Sequence, residues 1–192
     1  MTTDAKPICI DLFCGYGGWA RGFLDVGYRV IGFDNEPKCA KRYPGEFVLA
    51  DAHNLDGQRF RDARVIVASP PCTEFSNVTE MAVARGQRGP REPYGPRGMD
   101  LMHEASRIIY EAEPDFWCIE NVLGAHRYLG PPVARNGAQS LWGFFPGFIA
   151  SPTKKWWSHR RPGSWTGRKD YAQMRAIIPY PLARALADAC LP

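Results

Sequence analysis

No apolar run in this 192-residue chain approaches the roughly 18–20 residues that a membrane-spanning helix needs. The opening Met1-Thr2-Thr3-Asp4-Ala5-Lys6 leads straight into a strand-like segment and lacks the layout of a secretory leader. A cytoplasmic protein with no membrane partner is therefore expected. The six cysteines (Cys9, Cys14, Cys39, Cys72, Cys118, Cys190) include no Cys-x-x-Cys pair and no histidine at zinc spacing, so no metal site is expected. Most sit in apolar runs, as small buried thiols of a reducing compartment do; Cys72 is the exception. There is no internal repeat and no linker-like stretch. With 45% hydrophobic and 23% charged residues, the chain has the balance of a folded protein rather than a disordered one. Its length suits a single α/β domain, 1–192, rather than two.

Acidic residues are scarce in two places. Residues 153–169 contain Lys154, Lys155, Arg160, Arg161, Arg168 and Lys169 with no acid, a net charge of +6. Residues 81–98 carry Arg85, Arg88, Arg91 and Arg97 against Glu92, a net of +3. Because the whole chain is only +4, the remainder stands at −5. Two basic segments on an acidic body point to a polyanion-binding face.

What is present is an alternation of short apolar runs and helical patterns, which predicts a mostly parallel central sheet with helices on both faces. Strands are expected at Pro7–Phe13, Tyr28–Phe33, Phe47–Ala50, Val65–Ala68, Phe116–Ile119 and Gln139–Phe145. Helices are expected at Gly17–Val26, closed by Gly27, at Glu36–Tyr43, stopped by Pro44, at Met99–Glu113 and at Pro181–Cys190. Residues 77–98 are rich in Gly, Arg and Pro without an apolar period, which reads as a mobile functional loop. Residues 146–174 read as irregular.

The turn Asp11-Leu12-Phe13-Cys14-Gly15-Tyr16-Gly17-Gly18 joins a strand to a helix. Glycines let the backbone approach a ligand there, and the helix start offers free N–H groups. Asp34 ends the second strand, where a carboxylate can accept ribose hydroxyls, and Asp51 ends the third, where one can accept from an adenine amino group. A nicotinamide cofactor fits the same elements. The Asp-x-Phe-x-Gly-x-Gly form, with a carboxylate before the glycines, is more similar to S-adenosyl-L-methionine binding.

The fourth strand runs into Ser69-Pro70-Pro71-Cys72-Thr73-Glu74-Phe75-Ser76. This segment resembles the Pro-Cys-Gln-x-Phe-Ser signature of the C5-cytosine-specific DNA methyltransferases. Asp11-Leu12-Phe13-Cys14-Gly15-x-Gly17-Gly18 and Ile119-Glu120-Asn121-Val122 supply two more of the family's motifs in the family's order, over roughly residues 7–145. Ile178-Pro179-Tyr180-Pro181-Leu182 is similar to its last motif, and Arg97-Gly98-Met99-Asp100-Leu101 to its turn back toward the cofactor. The resemblance implies a Rossmann-like S-adenosylmethionine-dependent methyltransferase fold, with S-adenosyl-L-methionine bound by Asp11, Phe13, Gly15, Gly17, Gly18, Asp34, Asn35, Asp51, Ala52, Pro70 and Leu101, and S-adenosyl-L-homocysteine as product. It implies Cys72 as the nucleophile that adds to cytosine C6, since C5 is unreactive until the ring is activated and thiolates are strong nucleophiles. Glu120 is implied as the acid at N3, which requires a raised pKa, and Asn121 as the support of that strand end. Because a paired base is out of reach, double-stranded DNA must present a flipped cytosine. Ser76, Arg85, Arg88, Arg91 and Arg97 would then close over it.

Departures from the family are informative. Thr73 stands where the family has Gln, and Ala176-Ile177-Ile178 where it has Gly-Asn-Ser. No Gln-x-Arg-x-Arg motif is evident, and Arg135 is the best positional match. The interval that usually holds a target-recognition domain is only residues 146–174 here, too short for its own core. It interleaves Trp156, Trp157 and Trp165 with cations, Lys154, Lys155, Arg160 and Arg161 among them, suited to phosphates and base stacking rather than groove readout. Such reduced versions look like phage-encoded enzymes of bacterial hosts. A monomer of relaxed sequence preference is expected, with a partner chain for target recognition left open. A non-catalytic DNA-binding module, an RNA cytosine methyltransferase and transfer of a larger group are the alternatives.

Overall fold

The computed structural model describes residues 5–75, 96–151, 174 and 176–192. Strands β1 (Ile8–Leu12), β2 (Arg29–Asp34), β3 (Glu46–Leu49), β4 (Ala63–Ala68) and β5 (Phe116–Val122) run parallel. Strands β6 (Ala134–Asn136) and β7 (Gln139–Phe144) complete one sheet of order β3-β2-β1-β4-β5-β7-β6, with β7 antiparallel to both neighbours. From β1 the chain builds outward first to β2 and β3, then on the other side to β4 and β5. That reversal opens a crevice at the carboxyl ends of β1 and β4.

The central strands are apolar on both faces because both are covered. Cys9, Val65, Val67 and Cys118 face helix α1 (Gly18–Asp25) and helix α3 (Tyr180–Ala189), whose Trp19, Phe23, Leu182 and Leu186 are fully buried with them. Ile10, Leu12, Ile66, Ala68 and Ile119 face helix α2 (Pro96–Ala112), whose Met102, Ala105, Ile108 and Ala112 are buried at i, i+3, i+6 and i+10. Among the described residues no helix is long and apolar enough to cross a membrane.

The mostly parallel sheet with helices on both faces agrees with the sequence pattern. Four details differ. The predicted helix at Glu36–Tyr43 is a short 3-10 helix, Pro37–Lys41, with Glu36 accepting from the Lys38 amide as its cap. Pro37 starts it and Pro44 follows closely, so the segment is too short to propagate an α-helix. Helix α2 begins at Pro96 rather than Met99, because proline suits a first helical turn. Strand β5 continues past Ile119 through Glu120 and Asn121 to Val122, drawn on by its pairing with β7. Strand β6 was not legible: three residues, Ala134–Asn136, carry too little alternation to register.

Candidate active site

The carboxyl ends of β1, β2, β3 and β4 surround a cleft of about 440 Å³, a size typical of small-molecule sites. Phe13, Gly15, Gly18, Asp34, Asn35, Asp51, Ala52 and Leu101 line it, and so does Cys72. The first turn is shaped for this. Phe13 is held at φ 56, a left-handed conformation uncommon for an aromatic residue and one that concentrates at functional turns. Gly17 adopts φ 75, and a Cβ there would meet Pro44 Cδ at 2.3 Å. A Cβ on Gly18 would meet the Ile178 backbone nitrogen at 2.4 Å, so the first turn of α1 closes directly on the C-terminal segment. Ala176, Ile177 and Ile178 give the cleft an apolar wall on that side.

Three residues assigned to the cofactor do not line the cleft. Gly17 is packed against Pro44 and Tyr43, and Pro70 is held by Asn121. Asp11 is buried beneath the turn, where Tyr43 Oη donates to its Oδ2 at 3.0 Å. Burial raises the Asp11 pKa well above the carboxylate range, against the opposing pull of Tyr43. Asp11 thus anchors the loop from below.

Asp34 serves the loop as well as the rim. Its Oδ2 accepts from the Gly15 amide at 2.9 Å and its Oδ1 from the Glu36 amide at 2.9 Å. Each oxygen accepts one backbone bond and keeps a lone pair for a ligand, and Glu36, which also lines the cleft, adds a second carboxylate at this rim. Its Oε1 caps Lys38, and its Oε2 has no donor among the described residues. Glu36 was missed in the sequence, masked by the more familiar strand-end Asp two residues earlier.

Asp51 shows the same division of labour. Its Oδ1 accepts from the His53 amide at 3.0 Å and from His53 Nδ1 at 2.7 Å, leaving Oδ2 open among the described residues. The other ring nitrogen, Nε2, stands 2.7 Å from Asp100 on α2. With a carboxylate on each side, Asp51 first and Asp100 second, the imidazole pKa rises to about 9, so His53 is charged at neutral pH and both nitrogens donate. Arg107 on α2 adds bonds to the Leu55 and Ala52 carbonyls at 2.8 and 3.3 Å. The rim after β3 is therefore fastened to α2, a tie that no motif announces.

The thiol end is built by strand register. Strands β4 and β5 pair Ala68 with Ile119, so the next steps set Ser69 beside Glu120 and Pro70 beside Asn121. Asn121 is fully buried; its Nδ2 donates to the Pro70 carbonyl at 3.0 Å and its Oδ1 accepts from the Val122 amide at 2.9 Å. The chain then turns through Cys72, whose carbonyl accepts from the Phe75 amide at 3.0 Å, with Phe75 buried against Tyr128. Cys72 is partly exposed, whereas Cys9, Cys14, Cys39, Cys118 and Cys190 are buried. Loss of hydration raises the Glu120 carboxyl to about 7, opposed by a hydrogen bond from the Ser69 hydroxyl.

Arg135 is not brought to this site. It sits exposed on β6, across β7 from β5, at a separate cavity of about 230 Å³. Arg97 is in the first turn of α2. Ser76, Arg85, Arg88, Arg91, Lys154, Lys155, Arg160 and Arg161 lie outside the described residues. Among the described residues no cluster of His, Cys, Asp and Glu is arranged to hold a metal ion.

Strand order, the glycine turn and the acidic rim define the Rossmann-like fold of S-adenosylmethionine-dependent methyltransferases. Residues 8–127 match the family model of the C-5 cytosine-specific DNA methylases, and the chain belongs to that family. It is 31% identical over 143 residues to the type II methylase M.HgiDII of Herpetosiphon aurantiacus, covering 69% of this chain and 37% of that protein. It is 26% identical over 133 residues to the type II methyltransferase M.XorII of Xanthomonas oryzae pv. oryzae, covering 62% and 29%. The chain thus spans about a third of the length of these relatives. The solved Entamoeba histolytica methyltransferase EhMeth superposes with a TM-score of 0.47 at 17% identity, over 66% of this chain and 41% of that one.

Family and fold imply S-adenosylmethionine, and the cleft fits it. Asp34, Glu36 and Asp51 line it with carboxylate acceptors of the kind that an adenine amino group and ribose hydroxyls need. Phe13, Leu55 and Leu101 supply apolar wall.

Proposed function

We propose that this chain methylates C5 of cytosine in DNA, with Cys72 as covalent nucleophile and Glu120 as the acid that makes the attack possible. The observation that carries the reading is the shared cleft: the partly exposed Cys72 lines the same cavity as Gly15, Asp34 and Asp51. On the adjoining strand, Glu120 has a pKa of about 7.

The Cys72 thiolate adds to C6 of a cytosine turned out of the duplex, and the C5–C6 π electrons move toward N3. Glu120, half protonated near neutrality, donates its proton there and so offsets the charge the addition creates. Asn121 holds the Pro70 carbonyl and with it the approach of Cys72. When bound, S-adenosylmethionine supplies an electrophilic methyl group. After transfer, a base takes the C5 proton, and the electrons of that bond re-form the C5–C6 double bond as the C6–Sγ bond breaks. Cys72 leaves as thiolate, and the N3 proton returns to Glu120. Glu36 and Asp34 would accept the ribose hydroxyls of that cofactor, and Asp51 the adenine amino group. Relaxed sequence preference follows from the short 146–174 interval, whose cations and tryptophans are residue types suited to phosphates and base faces.

Incubation with duplex DNA and S-adenosylmethionine, followed by nucleoside mass spectrometry, tests this: 5-methylcytosine is expected in the DNA. On 5-fluorocytosine DNA, which blocks the last proton loss, wild type is trapped covalently and Cys72→Ser is not. An equal adduct with the Ser variant removes Cys72 from the mechanism, and preferential methylation of tRNA overturns the DNA assignment.

A further inference from the structure

Ser69 precedes the Pro71-Cys72 pair of the signature and has no role in the mechanism above, yet it stands where two strands and a helix converge. Its amide donates to the Leu12 carbonyl at 3.1 Å, which continues the β1–β4 pairing one residue past β4. Side chains alternate along a strand. Val67 packs with α1 and Ala68 with α2, so Ser69 returns to the α1 face. On β5, Cys118 packs with α1 and Ile119 with α2, so Glu120 turns to the α1 face too. The register places these two side by side, and Trp19, 2% exposed on α1, reaches Ser69 from that face.

Trp19 Nε1 lies 2.9 Å from Ser69 Oγ. An indole nitrogen can only donate, so the Ser69 oxygen is the acceptor, and its own hydrogen is left for another partner. The Glu120 carboxylate, its neighbour in the β4–β5 register on the same face of the sheet, is the acceptor beside it. The direction of both bonds is thereby set by chemistry alone: Trp19 to Ser69, Ser69 to Glu120.

We propose that Ser69, held by Trp19, is a positioning residue that orients the Glu120 carboxyl and sets how tightly it keeps its proton. The proposal rests on the reading of Glu120 as the acid of the reaction. A donated hydrogen bond favours the ionised carboxylate, whereas burial favours the protonated one. Burial alone would leave the acid reluctant to release its proton; the relay opposes it. A donor polarised by its own hydrogen bond is a stronger donor, so Trp19 strengthens what Ser69 does. It also denies the Ser69 hydroxyl its other rotamers.

The test is a carboxyl 13C NMR titration of the full chain labelled at glutamate, without cofactor, with the Glu120 signal assigned by its loss in Glu120→Gln. Wild type should titrate near 7. Ser69→Ala should raise that midpoint by about one pH unit, the scale of one hydrogen bond to a charged group. Trp19→Phe, which keeps an aromatic ring and removes the donor, should raise it by less. An unmoved midpoint in Ser69→Ala overturns the proposal, and an unmoved midpoint in folded Trp19→Phe overturns the part given to Trp19. Turnover separates this from the parent reading. The alkaline limb of the pH–rate profile should move upward in Ser69→Ala together with the NMR midpoint. If the midpoint moves while Glu120→Gln stays fully active, the relay exists but Glu120 is not the acid, and the mechanism rather than the hydrogen-bond chain has failed.

Discussion

The buried side-chain amide of Asn121 donates to the Pro70 carbonyl at 3.0 Å, tying the end of β5 to the segment that follows β4. Two residues beyond Pro70 stands Cys72. One residue before Asn121 stands Glu120. This bond extends the β4–β5 pairing and helps hold the thiol segment and the carboxyl segment relative to one another.

Asn121→Ala removes this bond and leaves the Pro70 carbonyl and the Val122 amide without their partner. The expected cost is about 1–3 kcal/mol of stability, the penalty for buried polar groups left unpaired. Adduct formation on 5-fluorocytosine DNA should slow more than cofactor affinity falls, since the cleft's acidic rim is on other strands. Urea unfolding and single-turnover trapping measure the two effects.

Glu120→Gln should cut turnover by roughly 100-fold or more, the scale of a lost general acid. Its effect on stability depends on pH. The folded-state pKa of about 7 lies above the ordinary 4.5, so the protonated group's contribution is whole below about pH 4.5 and lost as pH rises through 7. Between these values the unfolded chain ionises first. Wild type should therefore fall behind the Gln variant by up to about 3 kcal/mol above neutrality. Urea denaturation at about pH 4.5 and pH 8 should show near equality at the first and the Gln variant ahead at the second.

Asp51→Ala and Glu36→Ala should each weaken S-adenosylmethionine binding by on the order of 1–3 kcal/mol, as for the loss of a hydrogen-bond acceptor in a binding site. Asp34→Ala should weaken it as well, by freeing the Gly15 and Glu36 amides it holds. Calorimetry with the cofactor is the measurement. Unchanged affinity in Asp51→Ala and Glu36→Ala together would refute this assignment of the rim.

Binding to DNA should depend steeply on salt. Four to six phosphate contacts predict a slope of roughly −4 to −5 in log affinity against log salt. Replacing Lys154, Lys155, Arg160 and Arg161 with Ala should flatten the slope and weaken all sequences alike, whereas a good bidentate base contact discriminates by ~1–3 kcal/mol at one position. Anisotropy titrations on unrelated duplexes, with bisulfite sequencing of methylated product, decide it. A sharp consensus of four or more bases would mean that bases are read after all.

The sequence by itself determined the architecture and the chemical vocabulary. Short continuous apolar runs alternating with helical spacing are local signals, and they located the parallel strands, α1 and the C-terminal helix to within a few residues. Asp11-Leu12-Phe13-Cys14-Gly15, Pro71-Cys72 and Glu120-Asn121 were legible because their chemistry is carried by contiguous residues. Tertiary structure alone decided which carboxylates meet at the cleft. Asp34, at the end of β2, was the acceptor the sequence pointed to; only the folded turn shows it holding the Gly15 amide and brings Glu36, two residues on, to the same cleft. The same holds for His53 between Asp51 and Asp100, and for Ser69 between Trp19 and Glu120. Each joins side chains roughly 50 residues apart, between Trp19 and Ser69, Ser69 and Glu120, or His53 and Asp100. Hydrogen bonds are short and directional, and strand register and helix packing, which no local pattern encodes, decide which distant donors and acceptors come within reach.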